Sequence, residues 1–159
     1  MTKFLLAVHV LAAVITIGPV TVAASMFPST ARRALAEPGN PAPRAEVRTL
    51  HRICRVYAVI AVVVPVFGLA TAHSLHVLGS PWLLTSIALT AAAAAVLGIL
   101  VLPRQSAAVA VLDGTAAPGK ADAALQAVGR LGMHTGLFNL LWATVTVLMI
   151  VRPGSTTGA

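Results

Sequence analysis

Long apolar runs alternate with basic stretches along the chain. Phe4 to Phe27 has no charged residue over 24 positions, Val56 to Leu78 none over 23 with its histidines neutral, Trp82 to Leu102 none over 21, and Met133 to Val151 none over 19. A helix needs about 20 mostly apolar residues to cross a bilayer. The runs are too long for buried strands and lack alternation of period two. Lipid cannot satisfy open backbone groups, which requires helices. The pattern predicts an all-α polytopic membrane protein, a four-transmembrane-helix bundle forming one domain over residues 1–152. Spans are expected near 4–27, 56–78, 82–102 and 131–151, with a flexible tail at 153–159.

Breakers set the finer expectations. Helix one reads as ending at Phe27-Pro28 and helix three at Leu102-Pro103. Residues 104–112 and 120–132 are alanine-rich and extend helices three and four beyond the membrane, until Gly114 to Gly119 breaks them. Glu37 to Pro43 reads as a turn-rich linker, and Gly79-Ser80-Pro81 as a short turn. Pro19 and Pro65 read as kinks within spans. Each half of the chain runs helix, basic loop, then a helix entered by a histidine, His51 or His134, as two parallel hairpins would. Lys3, the apolar stretch, Pro19 and Val22-Ala23-Ala24 have the outline of a secretion signal. The stretch is long for a signal, so a retained first span is expected.

Composition agrees with the pattern. Hydrophobic residues are 58% of the chain, charged residues 9%, and the mean hydropathy is +0.91. Soluble domains carry about a quarter charged residues, and so short a chain cannot bury this much apolar surface in one aqueous core. The net charge of +7 is not a nucleic-acid signature. The basic residues are dispersed between apolar runs, and 4% aromatics are too few for base stacking. Residues 28–55 carry six arginines and residues 103–132 carry Arg104, Lys120 and Arg130, against Lys3 and Arg152 on the other side. The positive-inside rule then places both long loops in the cytoplasm and both termini outside a cytoplasmic membrane.

No Asp, Glu, Lys or Arg lies deep in a span, which disfavours a proton-coupled pump. The candidate cofactor-binding residues are histidines. His9 and His73 each lie about five residues from the outer end of a span, roughly 7 Å deep, with His76 three residues after His73 and on the same face if the helix continues. His51 and His134 form an inner pair. Cys54 shares the His51 face, and Arg52 and Arg55 flank it, suited to a phosphate or propionate. Haem b between His9 and His73 is the preferred cofactor. His51 and His73 are too far apart, about 33 Å along a helix, for two close haems. No carboxylate or thiol beside the outer histidines supports a metal site, and no base with an orienting carboxylate supports a hydrolase. The bland roles are packing for Cys54, helix-to-helix hydrogen bonding for Asn139 with Thr135 and Thr146, close contact for Ala91 to Ala95, and interfacial anchoring for Trp82 and Tyr57.

The runs Phe4-Leu5-Leu6-Ala7-Val8-His9-Val10-Leu11-Ala12-Ala13 through Ile17-Gly18-Pro19, and Leu50-His51-Arg52-Ile53-Cys54-Arg55-Val56-Tyr57, resemble a bacterial family of integral membrane proteins, domain of unknown function 2269, over about residues 4–151. The resemblance implies four membrane helices. His9, Gly18 and Pro28 give a more distant similarity to the copper-resistance D proteins and the haem-associated membrane protoporphyrinogen oxidases, which implies a haem role for His9. The aromatic and basic residues usual after that glycine in the oxidases are absent here. The expected function is a non-catalytic structural or accessory membrane component, in contact with lipid and packed as a homo-oligomer or in a larger complex. The alternative is a haem-binding redox protein using His9 and His73.

Overall fold

The computed structural model describes residues 2–117, 119 and 121–154, the side chains of Thr2, Ala121 and Ala124 excepted; residues 155–159 of the expected tail lie outside this range. Every described element is a helix: α1 (Thr2–Ala36), α2 (Pro41–Ile60), α3 (Val63–Ser74), α4 (Pro81–Ala95), a π-helical segment (Val96–Val101), α5 (Leu102–Leu112) and α6 (Ala121–Val151). They form four rods, Lys3–Ala36, Pro41–Ser74, Pro81–Leu112 and Leu125–Val151, each long and apolar enough to cross a membrane. This is a multi-pass membrane protein built as a four-helix bundle. Phe4, Val14, Val62, Ile99, Met133, Leu140 and Ile150 are 62–71% exposed. Lipid accommodates such an apolar exterior, whereas water does not.

The rods outrun the spans. At 1.5 Å per residue the 35-residue α1 is about 52 Å long, against about 30 Å of hydrocarbon. Pro28 does not end it: α1 continues to Ala36. The linker between the first two rods is also shorter than Glu37 to Pro43. Pro41 starts α2, and Asn40 caps it by accepting from the Ala42 N–H at 3.0 Å. Proline suits this first turn because its fixed φ is helical and its missing N–H would have no partner there. At the other end α3 stops at Ser74, four residues before the expected limit. Val77 N–H bonds to the Ala72 carbonyl and His76 N–H to the His73 carbonyl, with His76 at φ 56°. This is a Schellman cap with histidine where glycine usually sits. The α5 C-terminus uses the same cap with Gly114 at φ 70°.

Two interruptions lie within rods. Pro65 has no N–H for the Ala61 carbonyl, and the second rod breaks at Ala61–Val62. Pro103 has none for the Ile99 carbonyl, and the preceding turns widen to π-helix, with Leu102 N–H bonding Leu97. The π turns have a packing consequence. Ala93, Leu97, Val101 and Gln105 are all buried, at a constant spacing of four. Such a stripe drifts by ~40° per step on an ideal α-helix, and the wider turns offset that drift.

The first rod packs on the second and the third on the fourth, as two hairpins. Contacts of α1 with α6 and of α2 with α5 join them. The main core lies toward the end with the long loops. It gathers Val20, Ala24, Phe27 and Ala31 of α1, Val47 and Cys54 of α2, Val101 and Ala108 of the third rod, and Val128, Leu131 and Phe138 of α6. The short-turn end has a small separate cluster of Ala72, Trp82 and Leu83. Trp82 is thus buried, with the Arg152 guanidinium 5.7 Å above its ring.

Candidate functional site

The largest polar assembly lies between the second and third rods, at the arginine-rich end, with His51, Cys54 and Gln105 buried and Ser106 at its exposed edge. The α2 stripe of Val47, Leu50, His51 and Cys54 turns inward, which carries His51 and Cys54 to the face of α5 that holds Gln105. His51 Nδ1–H donates to Gln105 Oε1 at 3.1 Å, and the Ser106 hydroxyl donates to His51 Nε2 at 3.2 Å. Gln105 Nε2 donates to Cys54 Sγ at 3.6 Å. Both ring nitrogens of His51 are therefore occupied, and Gln105 is fully buried with partners at both ends of its amide. His51 precedes the uncharged segment 56–78. Burial lowers its pKa from the ordinary histidine value, with a smaller lowering from Arg55 opposed by the Gln105 bond. Neutral imidazole is the form that accepts from Ser106 and donates to Gln105 simultaneously.

Beside this assembly a shallow open groove of about 460 Å³ lies on the outer face of α2 alone, lined by His51 and by the exposed Arg52, Arg55, Val56, Val59 and Ile60. Outside it, ion pairs close the polar end. Arg33 bonds Glu46, which also accepts from the Thr30 hydroxyl at 3.2 Å, and Arg48 Nε donates to Asp113 at 2.9 Å. The last pair ties α2 to the loop after α5.

His9 occupies a second polar position. Its Nδ1–H donates to the Val64 carbonyl at 2.9 Å, in the first turn of α3. Its ring lies against Gly68, where an added Cβ would stand only 2.9 Å from His9 Cε1. Glycine is needed here for the close approach.

Of the five histidines, His9 and His51 bond another rod. His73 and His76 are exposed, and because α3 ends at Ser74 they do not share a helical face. His134 Nδ1–H donates to Arg130 of its own helix at 2.7 Å, while His51 is engaged with α5. Among the described residues no three His, Cys, Asp or Glu side chains gather as metal ligands. The helix-to-helix roles of Asn139 and Thr135 are present: Asn139 Nδ2 donates to Ser25 Oγ at 3.1 Å, and the Thr135 hydroxyl to the Ala24 carbonyl at 3.5 Å. Gln105 and Ser106 were missed by sequence reasoning. The available signal was two uncharged polar residues just past the third apolar run, on a segment already expected to be helical. No family profile matches the chain, and no curated protein or solved structure is similar to it.

Proposed function

We propose that the protein is a non-catalytic component of the cytoplasmic membrane, with both termini outside and both long loops inside, that packs against a second copy or within a larger membrane complex. One observation carries this reading: four polar side chains of the bundle join its rods by hydrogen bonds. His9 bonds α1 to α3, His51 bonds α2 to α5, and Thr135 and Asn139 bond α6 to α1. Such bonds are a common use of polar residues between membrane helices. The outer surface supports association. Gly129, Gly132 and Gly136 of α6 are exposed, with open space where a Cβ would stand, and small residues let membrane helices approach closely. The orientation rests on the excess of arginine in the long loops. The resemblance to domain of unknown function 2269 fits the same proposal. In a mild detergent the purified protein is expected to exceed its 16.2 kDa monomer mass, and Gly132→Leu with Gly136→Leu is expected to reduce that mass. A strictly monomeric, partnerless protein refutes the association. Membrane-impermeant labelling of the 28–55 loop in intact cells refutes the orientation.

A second reading, haem b held by His9 with His73, has one specific observation in its favour. The Nδ1–H bond to Val64 leaves His9 Nε2 with its lone pair, as in histidines that ligate metals. Oxidised and dithionite-reduced absorption spectra test it. A Soret band lost in His9→Ala supports the haem, and a colourless, metal-free preparation from haem-replete cells removes it.

A further inference from the structure

We propose that the groove along α2 is a binding site for one anionic phospholipid, with its phosphate on Arg52 and Arg55 and an acyl chain along Val56, Val59 and Ile60. This inference does not depend on the association proposed above. It begins with what the other arginines do. Arg33 and Arg48 are paired with Glu46 and Asp113. Arg32, Arg44, Arg104 and Arg152 donate to the backbone carbonyls of Pro28, Pro38, Leu100 and Met149. Arg130, away from the groove, is exposed with no side-chain partner among the described residues; Arg52 and Arg55 are exposed as well, and neither has a hydrogen bond or ion pair to another described residue. They are also the two arginines that line the groove.

Spacing and depth select the ligand. Arg52 and Arg55 stand three apart, which puts them on one helix face. Val56, Val59 and Ile60 continue the groove from there. Arg55 is the last charge before 23 uncharged positions, so the groove is basic at the headgroup level and apolar for about 7 Å below it. A guanidinium pair matches a phosphate by bidentate hydrogen bonds, while the apolar half matches a hydrocarbon chain. Neither half alone accounts for the other: a free phosphate leaves the valines unused, and a neutral lipid leaves two charges unmatched. No acidic side chain lines the groove, and the ring of His51 at its wall is already engaged by Gln105 and Ser106.

The test uses the full chain in detergent, with phosphatidylglycerol and phosphatidylcholine of identical chains added, read by lipid retention in native mass spectrometry and by thermal unfolding. Phosphatidylglycerol is expected to be retained as one tight adduct and to raise the unfolding temperature more than phosphatidylcholine does. The pair Arg52→Gln, Arg55→Gln is expected to weaken retention roughly 5-fold per arginine, about 25-fold together, and a control pair Arg33→Gln, Arg48→Gln by less than roughly 2-fold. Val59→Trp fills the groove and keeps both charges. It is expected to weaken phosphatidylglycerol retention as well, and it carries the test if the arginine variant does not fold. Equal retention of the two lipids, equal loss in the control pair, or unchanged retention in Val59→Trp overturns the proposal. So does glycerol phosphate displacing the lipid at equal concentration, because the site would then recognise a free anion.

Discussion

The second and third rods are each interrupted by a proline, and each interruption lies where a histidine from another rod docks, but the two docks differ in kind. At Pro65 the rod breaks, and His9 bonds the backbone of the turn that follows while its ring fills the space above Gly68. At Pro103 the rod stays continuous and widens, and the retained inward stripe delivers Gln105 to His51, with Ser106 beside it. The first dock is a matter of space, since a carbonyl is offered by any residue. The second is a matter of side-chain identity and helical phase. The first should therefore be sensitive to volume and the second to polarity.

The largest effect is expected from breaking the second dock on one side only. Gln105→Leu leaves His51 Nδ1–H and the Cys54 thiol buried without their partner, and should cost about 2–3 kcal/mol of stability. The double variant His51→Leu, Gln105→Leu should recover part of that loss, because both buried partners are then removed together. Denaturation of Gln105→Leu, His51→Leu and the double variant in the same detergent checks this. Full additivity would mean that the two residues do not act as a pair.

Gly68→Ala tests the first dock through volume alone. Its new Cβ would meet the His9 ring at 2.9 Å, so the ring must move and its bond to Val64 lengthen, at an expected cost of about 1–2 kcal/mol. Adding His9→Ala should relieve the clash, so that Gly68→Ala becomes nearly neutral in that background. If Gly68→Ala is equally costly with and without His9, the ring does not occupy that space.

The smallest effect distinguishes the docks by pH. The depressed pKa of His51 means that the unfolded chain takes up a proton before the folded protein does. Stability should be fully present above the ordinary histidine pKa, about 6.5, and should fall as pH drops below it toward the folded value. Thermal unfolding between pH 7.5 and 5 should show this slope, and His51→Gln should flatten it. An unchanged slope in His51→Gln would assign the pH dependence to another group.

The docks were unequally legible. His9 and His51 stood out because a polar residue in or beside a long apolar run is costly unless it is paired. Their partners did not stand out. Val64 contributes only a carbonyl, which is invisible in a side-chain pattern. Gln105 is 54 positions from His51, and nothing local to either residue encodes the pairing. Pro103 was visible but read as a helix end. Its missing N–H is equally compatible with a stop or with a π turn. The expected face shared by His73 and His76 depended on the helix continuing, whereas the chain caps at Ser74.

Hydropathy and length by themselves determined that the chain is all-helical, that four rods are long enough to cross a membrane, and roughly where the first and third begin. Those properties follow from the cost of exposing backbone and charge to hydrocarbon, which every residue registers locally. Tertiary structure alone decided the partner of each buried polar group, the continuation of α1 through Pro28, and which two arginines line the groove with no partner among the described residues. Those outcomes depend on which helix faces meet and in what phase, a property of pairs of distant residues.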